Sequence, residues 1–193
     1  MLENLSNYHI LLASNSPRRR ELLAGLDFEY DVIALPDVDE SFPEGMESTE
    51  IPTHIAELKA DAYRSHMQEN TLLITADTIV WLNGIVYGKP TDEAEAIGML
   101  TKLSGKTHEV ITGVCLTTKE SQHSFHAVSK VTFSELSDEE IRYYVEKYKP
   151  YDKAGSYGVQ EWIGYVGVKE IHGSFYNVMG LPIQRLYQEL KKF

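Results

Sequence analysis

His9-Ile10-Leu11-Leu12-Ala13-Ser14-Asn15-Ser16-Pro17-Arg18-Arg19-Arg20 runs a short apolar strand straight into a helix start. His9 to Ala13 has strand character, and Ser16 is a good N-cap. Pro17 suits the first helical turn, where its missing N–H costs nothing. Leu22, Leu23 and Leu26 are the expected buried side of that helix, with Gly25 near its end. A strand feeding a helix leaves backbone N–H groups and the positive end of the helix dipole at the junction, a natural place for an anion. The arginines add bidentate phosphate contacts. The plainer alternative is a capped helix with a solvated arginine face.

Outward from this unit, strand and helix patterns alternate. Phe28 to Ile33 reads as a second strand, followed by a loop rich in proline and acids from Pro36 to Glu47. Ile51, Ile55, Leu58 and Ala62 repeat at helical spacing in a helix opening near Ser48 or Thr49. Thr71 to Leu82 is an apolar β run, and Asn83-Gly84 signals a hairpin. Thr91 is the expected cap of a helix that has acids in its first turn and ends at Gly105. Two long β runs, His108 to Thr118 and Ser124 to Glu135, precede a capping-box signature at Ser137–Glu140. That helix stops before Pro150. A late strand from Tyr165 to Ile171 and a final helix after Pro182, carrying Leu186 and Leu190, complete the chain. The expected fold is mixed α/β, a twisted mixed sheet with flanking helices and two lobes around a cleft. Residues 1–193 form one domain with no internal repeat or linker.

Length and composition agree. A chain of 193 residues buries roughly 70% of its unfolded surface and needs no disulfide or structural metal. Its single cysteine excludes an internal disulfide and a Cys-based zinc site, and suits a reducing compartment. Lys plus Arg number 18 against 29 Asp plus Glu, a net charge of -11. Such a surface repels nucleic acid and anionic membranes, so neither is an expected partner. A polyanionic substrate would need a local basic cluster, a metal ion, or both. The acid at Glu3 is wrong for a signal peptide and Ile10–Ala13 is too short to span a bilayer, so a cytoplasmic protein is expected.

Several stretches could carry chemistry. Asp77 interrupts the apolar run Leu72 to Val80, and a carboxylate there is costly to bury unpaired. It is either a strand-end Asp satisfied by backbone N–H groups, or a catalytic carboxylate or metal ligand. Gly88-Lys89-Pro90 combines close approach, a point charge and a stiff loop, yet by itself reads as a turn. Tyr151 to Gln160 gathers Asp152, Lys153, two glycines and Gln160 in an irregular segment, as a ligand loop or a glycine-rich turn would. Ser104-Gly105-Lys106-Thr107 imitates a phosphate-binding loop but follows a helix, not a strand. The histidines show no zinc-helix spacing, His123 and His126 read as structural, and Cys115 reads as a packed thiol.

Taken in order, Leu11–Arg19, Ala76-Asp77-Thr78, Gly88-Lys89-Pro90, Leu103–His108, Asp152–Gly155 and Val178–Pro182 are far more specific than any one alone. The chain resembles the Maf family of nucleotide pyrophosphatases, also called septum formation proteins, from about Leu11 to Leu190. The resemblance implies a fold like that of inosine triphosphate pyrophosphatases. It also implies hydrolysis of a nucleoside triphosphate to monophosphate and pyrophosphate with a divalent cation, Mg²⁺ or Mn²⁺. By position, Asp77 matches the family's proton acceptor. Ser14, Arg18, Arg19, Glu40, Lys59, Lys89 and Lys153 match positions that members place in the cleft. Glu40 and Asp77 are the metal-ligand candidates, with Asp39 and Asp152 behind them. Arg18, Thr78 and Gln160 match the positions marking the dTTP/UTP subgroup, whose sister group prefers 7-methyl-GTP. A homodimer is the family expectation. Many members carry Gly after the Gln, whereas this chain has Glu161-Trp162, a bulky acid and an indole beside the expected base pocket.

Three functions compete. The first is dTTP/UTP pyrophosphatase activity, with Asp77 as base, ligand or both and Lys89 beside it in the chemistry. The second is a nucleotide-binding regulator of septum formation without significant turnover. The third, an enzyme for inosine or xanthosine triphosphates, is opposed by the Arg18, Thr78 and Gln160 set. Turnover separates the first two.

Overall fold

The structure, a computed structural model, describes residues 2–34 and 38–193. Pro36 and Asp37, the start of the expected acidic loop, lie outside the described residues. Among the described residues seven strands form one mixed sheet: β1 (His9–Ala13), β2 (Asp31–Ile33), β3 (Thr71–Leu82), β4 (Ile85–Tyr87), β5 (Thr107–Thr117), β6 (Gln122–Phe133) and β7 (Val168–His172). Their order is β2-β1-β3-β5-β6-β7, with β4 paired to β3. β1 runs parallel to β2 and β3, while the β3–β4 and β6–β7 pairs are antiparallel. The helices are α1 (Pro17–Ala24), α2 (Ile51–Tyr63), α3 (Glu93–Leu103), α4 (Asp138–Tyr148), α5 (Trp162–Gly167), α6 (Phe175–Met179) and α7 (Ile183–Leu190).

Two compact units share the chain. Unit 1 comprises Met1–Asp77, Thr112–Ala127 and Gly180–Phe193; unit 2 comprises Thr78–Ile111 and Val128–Met179. The chain therefore changes unit four times, inside β3, β5 and β6 and again at Met179-Gly180.

Unit 1 has a core on each face of its strands, because successive strand residues point to opposite sides. Ile10, Leu12, Leu72, Ile74, Val114 and Leu116 pack with Leu23 of α1 and Leu186 and Leu190 of α7. Ala13, Leu73 and Cys115 pack with Ala56 and Ala60 of α2. Strands covered on both sides read as continuous apolar runs, which is how β3 and β5 appear in the sequence. Burial raises the Cys115 thiol pKa. β5 and α2 approach very closely: a Cβ at Gly113 would stand 2.3 Å from the Thr53 backbone nitrogen.

Unit 2 has its own core. Val80, Leu82, Val110, Val131 and Phe133 from the strands meet Leu100 and Leu103 of α3, Ile141 and Tyr144 of α4, and Tyr157 and Ile163. The Asn83-Gly84 hairpin forms with both residues at positive φ, 52° and 82°. The capping box at α4 is complete: Glu140 N–H donates to Ser137 Oγ and Ser137 N–H to the Glu140 carboxylate. Ser104-Gly105 ends α3, with Gly105 in the left-handed region, so the phosphate-loop imitation is a helix terminus.

Several boundaries differ from expectation. β2 covers only Asp31–Ile33; ahead of it the Tyr30 hydroxyl donates to the Arg20 carbonyl. Helix α2 starts at Ile51, and its buried face is Ile51, Pro52, Ile55, Ala56, Lys59 and Ala60. Leu58 is only half-buried and Ala62 is exposed, because a lysine fills the position expected for an apolar residue. Asp92, not Thr91, caps α3 by accepting from Glu95 N–H. Tyr165 to Gly167 are helical, not strand: Ile163 and Gly167 are buried four residues apart while Tyr165 and Val166 face water. Helix α6 was not expected at all. Among the described residues no helix is long and apolar enough to cross a membrane.

Candidate active site

In unit 1 the expected residues converge on Asp77. Its carboxylate sits in β3 among buried neighbours, and Lys59 Nζ on α2 lies 2.8 Å from Asp77 Oδ1. The same ammonium is 2.9 Å from Glu40 Oε1. The Lys59 side chain is 5% exposed, those of Asp77 and Glu40 12% and 45%. A buried charge survives by being paired, and here one cation holds two carboxylates. Removing Lys59 would leave Asp77 uncompensated, a loss of about 3–5 kcal/mol by the usual behaviour of buried pairs.

The strand-to-helix junction beside Asp77 in the sheet is tightly braced. Ser16 accepts from Arg19 N–H as the cap, and buried Ser14 accepts from Ser16 N–H through Oγ at 3.1 Å. Arg19 donates through Nε to the Gly180 carbonyl and through Nη1 to the Ala76 carbonyl, each at 2.8 Å. Desolvation draws the Arg19 pKa down, and the Asp77 charge opposes this. Arg19 thus ties α1 to the residue preceding Asp77 and to the start of the C-terminal segment. Arg20 turns to the Ser14 carbonyl. Arg18 is half-buried.

The remaining expected residues belong to unit 2. Thr78, half-buried, follows Asp77 directly in β3. Lys89 is exposed in its loop. That loop is fastened to the 151–160 segment by Gly155 N–H donating to the Gly88 carbonyl at 3.0 Å. Gly155 and Ser156 both have positive φ, 66° and 61°, and a Cβ at Gly155 would come within 2.8 Å of Val80. Glycine adopts this conformation freely, but for Ser156 it is a costly backbone that persists only where surroundings enforce it. Lys153, with a side chain 9% exposed, contacts Asp152 at 2.7 Å and Glu161 at 3.1 Å. Gln160 Oε1 is buried and accepts no hydrogen bond among the described residues.

Sequence reasoning missed two supports of this segment. Tyr144 donates to Glu161 and accepts from Gly158 N–H. His108, almost fully buried, shares a 2.7 Å hydrogen bond with the Tyr157 hydroxyl, and desolvation lowers its pKa to about 4. The only signal for these was polar residues at apolar phases of α4 and β5. His123, read as structural, pairs with buried Glu189 at 2.9 Å within unit 1.

The donor chemistry suits a hard divalent cation. Two carboxylates, Glu40 and Asp77, face one point where an ammonium already stands in for positive charge. Among the described residues no group of three or more metal-binding side chains gathers anywhere. A magnesium-type ion fits such a sparse set, since it takes one or two carboxylates and completes its shell from substrate phosphates and water. Asp152, the reserve ligand, is instead engaged with Lys153.

The Maf-like protein family model matches residues 9–193. A dTTP/UTP pyrophosphatase of Bacteroides thetaiotaomicron is 66% identical, with both chains covered completely. One from Phocaeicola vulgatus is 64% identical over the same extent. Among solved structures, the Ham1 protein of Staphylococcus aureus matches with a TM-score of 0.53 at 18% identity, covering 94% of this chain and 99% of that one. A HAM1 protein from Coxiella burnetii matches with a TM-score of 0.51 at 17% identity over 96% of this chain and 100% of that one. These two likenesses establish the fold, mixed α/β of the Ham1 kind. A family match from β1 to the last residue, with relatives of equal length at such identity, leaves one conclusion: the chain belongs to the Maf-like protein family.

Proposed function

We propose that this chain, residues 1–193 acting as one catalytic domain, hydrolyses dTTP and UTP to the monophosphate and pyrophosphate. The observation that carries the reading is Asp77, an acid in an apolar strand held at 2.8 Å by buried Lys59. The names of relatives 64% and 66% identical over the whole chain support the same substrate class.

In this reading Asp77 orients and deprotonates the water that attacks the α-phosphorus. The bond from that phosphorus to the bridging oxygen breaks, and pyrophosphate leaves. Lys59 keeps the carboxylate in register. Lys89, Lys153, Arg18 and Ser14 bind phosphate oxygens, and Arg19 fixes the Asp77 strand to α1. Glu40 and Asp77 would hold Mg²⁺ or Mn²⁺, which when bound offsets the charge developing on the leaving group. Thr78 and Gln160 read the base. Uracil and thymine offer an N3–H beside a carbonyl, and the unpartnered Gln160 Oε1 suits the first while its amide donates to the second. The buried thiol without a disulfide suits the cytoplasm. A homodimer is proposed, to be settled by light scattering.

The experiment is a nucleotide panel with and without Mg²⁺, scored for pyrophosphate and monophosphate. UTP and dTTP should turn over best and similarly, since one methyl group discriminates by only about 1–3 kcal/mol. Asp77→Asn should lower kcat by roughly 10²–10⁴-fold while the protein stays folded. Gln160→Glu should lower kcat/KM for UTP. Orthophosphate as first product, full activity in excess chelator, or a purine preference would overturn the respective parts. Nucleotide bound without release of pyrophosphate would favour the regulatory reading.

A further inference from the structure

Glu161 is the N-cap residue of α5, yet its side chain makes no capping hydrogen bond. The carboxylate is committed elsewhere. One oxygen, Oε1, faces Lys153 Nζ at 3.1 Å, and the other accepts from the Tyr144 hydroxyl. Tyr144 is fully buried, and desolvation followed by its bond to Glu161 raises its pKa, so it stays protonated and donates. That hydroxyl also accepts from Gly158 N–H at 3.0 Å. The backbone closes the ring: Glu161 N–H donates to the Gly158 carbonyl at 2.9 Å. Gln160 lies inside the turn so formed. Lys153 has a second carboxylate, Asp152, but that side chain is 55% exposed, against 20% for Glu161. Screening by water makes the exposed pair the weaker tether.

We infer that Glu161 is a positioning residue with two arms, one setting the Lys153 ammonium and the other, through Tyr144, setting the turn that carries Gln160. One carboxylate then couples the phosphate-contacting cation to the base-reading amide. This deepens the function proposed above and rests on it for its kinetic consequences. The placement of Lys153 does not depend on that function.

Two variants separate the arms. Glu161→Gln keeps an acceptor for Tyr144 but loses the charge facing Lys153. It should lower kcat for UTP on the order of tenfold, as misplacement of a catalytic group does, with KM within threefold and the UTP-to-CTP preference kept. Tyr144→Phe keeps the charge but frees the turn, and should reduce the UTP-to-CTP preference at least as much as it reduces kcat. A purely structural role would change both variants alike, in step with their thermal stability. The readout independent of turnover is acylation of Lys153 by an amine-reactive ester, followed by peptide mass spectrometry. Lys153 should label severalfold faster in Glu161→Gln than in the wild type, other lysines of unit 2 serving as controls. Unchanged Lys153 labelling overturns the inference whatever the substrate is. A wild type that hydrolyses no nucleoside triphosphate, with Lys153 labelling raised in the variant, overturns the proposed function and leaves the positioning role standing.

Discussion

At the scale of single residues, burial and charge meet in unlike ways. Lys59 and Asp77 bury charge by pairing, whereas His108 is buried by staying neutral. Its folded pKa of about 4 lies below the usual value near 6.5. The unfolded chain therefore binds the proton first. The stabilisation is fully present above pH 6.5 and is lost as pH falls toward 4, about 3 kcal/mol in all. Urea unfolding at pH 7 and pH 4.5 should show the wild type losing about 2–3 kcal/mol more than His108→Gln, which keeps a partner for Tyr157. Equal losses would mean that His108 does not titrate with folding. None of this was legible beforehand, because a histidine in a β run carries no mark of its burial. Asp77 was legible, since an acid in an apolar run needs a reason. Its partner was not visible by pattern, because Lys59 sits eighteen residues away in the chain at a phase where a helix normally buries an apolar side chain.

At the scale of elements, what the sequence made legible were features with local causes. The cap at Ser16, the Asn83-Gly84 hairpin and the Ser137 capping box depend on neighbours within a few residues, and all three form. Tyr165 to Gly167 failed as a strand because its apolar residues suit either period over so short a run. Only packing of Ile163 and Gly167 decides for helix. Close approach of elements is likewise invisible in sequence. At Gly113 of β5 the first turn of α2 passes so near that an added methyl would strike backbone, Thr53 N at 2.3 Å and Pro52 O at 2.5 Å. Backbone cannot yield as a side-chain tip does. Gly113→Ala should cost about 3 kcal/mol, the upper range for overpacking, and lower Tm by roughly 6–12 °C for a chain of this size. Calorimetry checks it; a shift under two degrees would show that α2 moves aside freely.

For the molecule as a whole, connectivity is the governing fact. Unit 1 is assembled from three separated segments and unit 2 from two, so neither can be made by cutting the chain once. The last segment carries Leu181, Leu186 and Leu190, all fully buried in unit 1. At about 1.5–3 kcal/mol per buried leucine, their removal forfeits roughly 5–9 kcal/mol, comparable to the whole stability of a typical domain. A chain ending at Met179 should show no cooperative unfolding of unit 1 by circular dichroism in urea. A transition of wild-type steepness would contradict that. Sequence patterning located most strands and helices of this arrangement, but not α5, part of which reads as strand, nor α6. That there would be two lobes was legible; the points at which the chain passes between them were not, because β3 and β5 continue through them without any break in apolar character.

Cys115 gives the native chain a clock of its own. It is the single thiol, lies fully inside unit 1, and burial disfavours the thiolate that reagents attack. A disulfide reagent can react only during moments of opening, so its rate counts those moments directly. Added nucleotide that slows the reaction would do so by making openings rarer, and the slowing would measure ligand binding with no engineered probe.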